Sequence, residues 1–314
     1  MAALGRTGLD VFPLCLGGNV FGWTADETGS FAVLDAYAAA GGNFVDSADS
    51  YSAWAPGNAG GESEGIIGRW LAARGNRDQM IVATKVGRMP GKSDLRAKTV
   101  RQAAEDSLRR LQTDYIDLYY AHGDDDPDIP LDETLGAFDE LVRAGKARYI
   151  AASNYEHPRL AEALAVSAQN GLASYVALQP QYNLVERDYE HELEQLCADE
   201  GLACVPYFSL AMGFLTGKYR PGGRPVDSPR SDGASAYLDE RGIAVLSALD
   251  EIAASHDVSV GAVALAWLLA KPTVVAPIAS ARTPEQLAEL LPMAELQLLP
   301  DELTQLDRAG LKVR

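Results

Sequence analysis

Asp46, Tyr51, Lys85 and His122 could together move a proton. Phe44-Val45 is a short, strand-prone apolar run that ends abruptly in the carboxylate of Asp46, and Tyr51 follows among small polar residues. Met80-Ile81-Val82-Ala83-Thr84-Lys85 is a second apolar run, ending in a lone cation. A third, Tyr115 to Ala121, delivers His122. A charge at the end of a buried strand is costly unless an opposite charge meets it, so Asp46 and Lys85 suit one another. An ammonium beside a phenol favours tyrosinate. Bringing a tyrosine down from its reference pKa near ~10 by about three units takes roughly 4 kcal/mol. Lys85 is expected to supply much of that, with Asp46 holding it charged. A neutral His122 can hydrogen-bond an oxygen and polarise it.

Taken singly, each residue has a plainer reading. Lys85 reads as a strand-end lysine with a solvated head, and His122 as a satisfied structural histidine. Asp46 reads as a turn cap, with Asp49 its close competitor, and Tyr51 as a pocket-wall aromatic. The case for chemistry is that the set arrives at successive strand ends.

Those ends must be gathered by the elements between them. Helical patterns over Thr28–Ala40, Glu62–Ala73, Thr99–Leu111, Leu131–Ala144 and Pro158–Asn170 alternate with apolar runs over 80–85, 115–121 and 147–153. Further runs at 176–179, 202–207 and 274–278 bring the strands to eight, counting Val11–Leu16 and the run ending at Asp46. Helices near Tyr189–Glu200, Leu238–His256 and Pro284–Leu291 complete the alternation, and Val260–Leu269 is an additional helix, apolar on most sides. Alternation of this kind predicts a parallel sheet with right-handed crossovers, and eight units can close. Gly17-Gly18-Asn19-Val20-Phe21-Gly22 lacks the spacing of a dinucleotide fingerprint, which disfavours an open, doubly wound sheet. Gly5–Val11 reads as a hairpin before the first strand. Phe208–Tyr237 is a long Gly-, Pro- and Arg-rich loop of the kind that carries function.

The order Asp46, Tyr51, Lys85, His122 resembles the catalytic tetrad of the aldo-keto reductase superfamily. The resemblance runs from Leu14-Cys15-Leu16-Gly17-Gly18 to Ala281-Arg282-Thr283-Pro284-Glu285-Gln286-Leu287. It implies an α/β fold, a (β/α)8 TIM barrel with an N-terminal hairpin plug, a long cofactor-covering loop after strand 7, and a single domain over 1–314. It implies reduction of aldehydes or ketones with NADPH, Tyr51 giving the proton, and the reverse steps for an alcohol. By the same resemblance Gly18 lies against the cofactor, and Ser153, Asn154 and Gln179 clamp the nicotinamide carboxamide. Tyr207 stacks on the ring, although Phe208-Ser209 follows where the family commonly has Ser-Pro. Ser209, Leu210, Gly213 and Lys218 belong to the covering loop, with Lys218 reaching the pyrophosphate. Ser280 and Arg282 suit a 2′-phosphate at the start of the helix opened by Pro284, and Gln286 an adenine contact. The asparagine that commonly follows that contact is replaced near Leu290. Trp23 and Trp54 are expected to line the substrate mouth.

Composition sets bounds. A net charge of −17 argues against nucleic acid or an anionic membrane as partner, without excluding a local basic pocket for one phosphorylated cofactor. Cys15, Cys197 and Cys204 are odd in number and lie in apolar or helical contexts, which reads as free thiols in a reducing cytoplasm. No signal peptide or membrane span is expected. A metal site is not expected either: the run Asp124-Asp125-Asp126-Pro127-Asp128 reads as a solvated loop, and a metal-dependent hydrolase wants more well-placed histidines than His122. The partner anticipated is a small carbonyl compound, with no obligate protein. The competing reading is a nicotinamide-nucleotide-sensing regulatory subunit on the same barrel, since the resembled family includes the β-subunits of voltage-gated potassium channels.

Overall fold

A computed structural model describes residues 1–311. The chain opens with an antiparallel hairpin, β1 (Ala2–Ala3) and β2 (Asp10–Val11). Eight strands then form one parallel sheet. They are β3 (Cys15–Gly17), β4 (Phe44–Asp46), β5 (Ile81–Val86), β6 (Ile116–Ala121), β7 (Ala147–Ser153), β8 (Tyr175–Gln179), β9 (Ala203–Cys204) and β10 (Ile278–Ala279). Strands adjacent in sequence are adjacent in the sheet, and β10 lies beside β3. The far edge is joined as well. Cys204 N–H donates to the Thr273 carbonyl at 2.8 Å, Val275 N–H to that of Cys204 at 3.0 Å, and Ile278 N–H to that of Pro206 at 2.9 Å. The sheet therefore curls round as a (β/α)8 barrel, with its edges covered by one another.

The helices outside the sheet are α1 (Glu27–Ala39), α2 (Glu62–Arg74), α3 (Ala97–Leu111), α4 (Leu131–Arg143), α5 (His157–Asn170), α6 (Glu192–Glu200), α7 (Ser231–Ser235), α8 (Glu240–His256), α9 (Val260–Leu269), α10 (Pro284–Leu290) and α11 (Pro300–Gly310). Period-two alternation sorts the strand residues. Phe44, Ile81, Ala83, Leu118 and Tyr120 pack inside the barrel, whereas Val45, Val82, Val86, Tyr119 and Ala121 pack outward under the helices. Leu4, Leu9 and Val11 of the hairpin share the inner cluster with Cys15, so the hairpin stops the bottom of the barrel. The same alternation carries Asp46 above Phe44, and Lys85 above Ala83 and Ile81, at the opposite end.

Prolines explain where strands fall short of expectation. Val11 belongs to the hairpin, and the ladder resumes only at Cys15, beyond Pro13. The run 202–207 keeps ladder pairing at Ala203–Cys204 and loses a donor at Pro206. The run 274–278 is broken by Pro277, and its strand is Ile278–Ala279. The sequence reading stopped at Leu291 and so omitted α11, which packs on α8 with the Glu302 carboxylate on His256 Nε2 at 2.8 Å. It also omitted α7 inside the long loop. The three cysteines are buried free thiols.

Candidate active site

The loop after β4 is drawn onto β5 by backbone bonds, Ser47 N–H to the Ala83 carbonyl at 2.8 Å and Asp49 N–H to that of Lys85 at 3.1 Å. A turn closed by Tyr51 N–H on the Ala48 carbonyl then swings the phenol back over the strand end. Lys85 Nζ lies 2.6 Å from each Asp46 oxygen, 2.8 Å from the Ser47 carbonyl and 2.8 Å from the Tyr51 hydroxyl. The Tyr51 hydroxyl donates to Asp46 Oδ2 at 2.9 Å. Lys85 is wholly buried and Asp46 is 1% exposed, so this is a desolvated pair with its hydrogen bonds filled. The His122 ring stands 6.1 Å from that of Tyr51, centroid to centroid, at the end of β6.

The electrostatics depart from expectation at Tyr51. Burial pushes its phenol well above the usual range, and the Asp46 carboxylate pushes it further by charge and as a hydrogen-bond acceptor. Lys85 does not dominate, because Asp46 sits against the same ammonium and cancels much of its field. Burial in turn lowers Lys85, with Asp46 opposing. His122 is driven well below its ordinary value by burial first, then by Lys85 and Arg88, so the imidazole is neutral near pH 7.

Asp46, Tyr51 and His122 open onto a cavity of about 710 Å³, and Lys85 lies just behind its wall. Ser153, Asn154, Gln179, Tyr207, Ser209, Leu210, Gly213, Lys218, Ser280, Arg282 and Gln286 line it too, as do Trp23 and Trp54. Gly18 does not. A Cβ there would meet Ser63 Oγ at 2.7 Å and the Asp46 carbonyl at 3.0 Å, so this glycine serves the close packing of α2, while Gly17 faces the cavity.

Several of these side chains hold one another. Gln179 Nε2 donates to Asp46 Oδ1 at 2.9 Å, Ser153 Oγ to the Gln179 carbonyl at 2.9 Å, and Tyr207 hydroxyl to Asn154 Oδ1 at 2.7 Å. Ser280 Oγ donates to Asn19 Oδ1 at 2.6 Å, and Gln286 Oε1 accepts from Arg282 N–H at 3.0 Å. Trp23 and Trp54 meet edge to face at 5.6 Å, and Trp54 is 50% exposed at the rim.

Two arginines that sequence reasoning missed also line the cavity. Arg230 lies over the Trp23 ring at 5.2 Å, and Arg88 is paired with Asp125 through two bonds of 2.8 Å. Burial first, and then the charge of Arg282, lower both Lys218 and Arg230, so the three cations lie within reach of one another's fields. None of these three makes an ion pair among the described residues. The signal for Arg230 was faint: one arginine among several in a loop without periodicity.

Residues 13–310 match the Aldo/keto reductase family. The chain is 36% identical over 304 residues to an uncharacterized oxidoreductase, YrpG, of Bacillus subtilis, covering 94% of this chain and 91% of that protein. It is 32% identical to Protein tas of Escherichia coli, covering 96% and 95%. It is likewise 32% identical to norsolorinic acid reductase B of Aspergillus parasiticus, covering 95% and 81%. With a barrel of this topology and a family match over nearly its whole length, the chain belongs to the aldo/keto reductase family, and its relatives are oxidoreductases.

Proposed function

We propose that this protein reduces aldehydes or ketones to alcohols with NADPH, Tyr51 supplying the proton. The observation that carries this reading is the Lys85–Tyr51 contact of 2.8 Å at the wall of a cavity that also presents three unpaired cations. Lys218, Arg230 and Arg282 suit the phosphates of a nicotinamide dinucleotide, and their lack of carboxylate partners among the described residues of so acidic a protein favours a polyanionic ligand. Arg282 and Ser280 are the pair we assign to a 2′-phosphate, hence NADP over NAD. When bound, the cofactor supplies the hydride.

The chain's own groups do the rest. His122, neutral, donates a hydrogen bond that orients the carbonyl oxygen and stabilises charge developing on it. Tyr51 keeps its proton in the resting site because burial and Asp46 both favour the neutral phenol. An alkoxide is a stronger base than a phenolate, so proton transfer to the nascent oxygen is still downhill. Lys85 stabilises the tyrosinate left behind, and Asp46 holds Lys85 in place. Trp23, Trp54 and Tyr207 offer flat apolar walls, and Asp125 neutralises Arg88 at the rim. Both features suit an uncharged carbonyl compound, aromatic ones included.

Consumption of NADPH, with NADH in parallel, across a panel of aromatic aldehydes, diketones and keto-sugars tests the reading. Tyr51→Phe is expected to lose about 10²–10⁴-fold in kcat while still binding NADPH, as its fluorescence reports. Full activity in that variant removes Tyr51 from the role. Tight NADPH binding with no turnover on any carbonyl favours a nucleotide-sensing role instead.

A further inference from the structure

Asp49 competes with Asp46 in sequence, and the reaction as derived leaves it unused. It is 2% exposed, and its Oδ1 has no hydrogen-bond partner among the described residues. Its backbone N–H donates to the Lys85 carbonyl at 3.1 Å, and its carboxylate and the Lys85 ammonium feel one another's charge.

The groups facing Asp49 come from four elements. Glu64 of α2 is wholly buried and fully engaged, accepting from Thr84 Oγ1 at 2.5 Å and from Arg110 Nε at 2.6 Å. Arg110 of α3 is thereby committed to Glu64, and it also meets Ser107. Tyr119 of β6 places a buried hydroxyl nearby, also unpartnered, whose electrostatic environment includes Asp49, Glu64, Arg110 and Asp106. Lys85 of β5 acts from the barrel side, and the Ser50 N–H is the carboxyl's remaining donor. Two buried carboxylates thus share one arginine, and Glu64 holds it. Burial, and then Glu64, push Asp49 up to about 7.

We propose that Asp49 is a positioning residue of the reaction centre, a buried carboxyl that exchanges its proton within the field of Lys85 and thereby sets how readily Tyr51 gives up its own. The proposal rests on the carbonyl-reduction reading above. With Asp49 neutral, the ammonium's field reaches the phenol less opposed and tyrosinate forms more easily. With Asp49 ionised, a second carboxylate backs the ammonium, and proton donation slows.

The test compares holoenzyme with Asp49→Asn, using NADPH and 4-nitrobenzaldehyde from about pH 6 to about pH 8.5. Wild type is expected to lose kcat on the order of fivefold across neutrality, and Asp49→Asn to lose that step while KM stays level. Glu64→Gln removes a like charge and frees Arg110, so the step should move to lower pH. Profiles of wild type and Asp49→Asn that superimpose after scaling overturn the proposal.

A second measurement does not need turnover. A carboxyl whose native pKa is raised binds more protons folded than unfolded, so the stability it confers is lost as pH rises towards that pKa. The melting temperature of wild type should therefore fall relative to Asp49→Asn between about pH 4 and about pH 7, and the difference should level off above that. A difference that stays constant with pH overturns the proposal. If no carbonyl is reduced, the reductase reading fails separately, and melting still decides whether Asp49 holds its proton.

Discussion

Exchanging Lys85 for methionine would leave Asp46 ionised, buried and without its cation. Breaking a desolvated pair from one side costs about 3–5 kcal/mol. Lys85→Met is therefore expected to lower stability by about that much in urea unfolding at neutral pH, and Asp46→Asn in the same chain to recover part of it. A Lys85→Met protein as stable as wild type would mean that the pair contributes no net attraction. At this scale the sequence was informative about identity and poor about electrostatics. Asp46, Tyr51, Lys85 and His122 were legible because each interrupts or follows an apolar run. The upward push on Tyr51 was not, because it depends on a 2.9 Å contact between Tyr51 and Asp46 that no spacing encodes. Asp49 was visible only as a rival to Asp46, and its separate surroundings needed α2, α3 and β6 in place.

Helix ends show a more regular grammar. α2, α5 and α6 stop at Gly75, Gly171 and Gly201, each in the left-handed region with φ of 62–63°. α3 stops at Gln112 with φ 52° and ψ 46°, the same turn carried by a residue with a Cβ. Gln112 is exposed, so little packing is at stake. Gln112→Gly is expected to raise stability by about 1 kcal/mol, read as a higher urea midpoint, with reductase activity unchanged. An unchanged or lowered midpoint would show the turn to be unstrained. Glycine stops and apolar periodicity made most helices readable to within a few residues. Pro13, Pro206 and Pro277 shortened the strands they flank, since each removes a ladder donor without removing the apolar signal. α11 escaped notice although Pro300, Asp301 and Glu302 form a favourable first turn.

For the molecule as a whole, charge and closure were legible to different degrees. The net charge of −17 was plain, but three cations gathered in one cavity were not, because Lys218 and Arg230 lie twelve residues apart in a loop without periodicity and Arg282 follows the last strand. Eight strand–helix units pointed to a barrel, yet the bonds that bring Cys204 to Thr273 close over a separation of sixty-nine residues that no local pattern encodes. The hairpin, too, was expected as a stopper, and Leu4, Leu9 and Val11 fill that place at the bottom of the barrel, against Cys15. A thiol shut in behind such a stopper becomes an indicator of the seal. Burial raises the Cys15 thiol, so in the intact protein a bulky aromatic disulfide reagent should leave it untouched. Leu9→Ala loosens the stopper without approaching the mouth, and mass spectrometry should then find label at Cys15 well before Cys197 or Cys204. The two ends of the barrel would thus be separable by chemistry, one reporting on turnover and the other on watertightness.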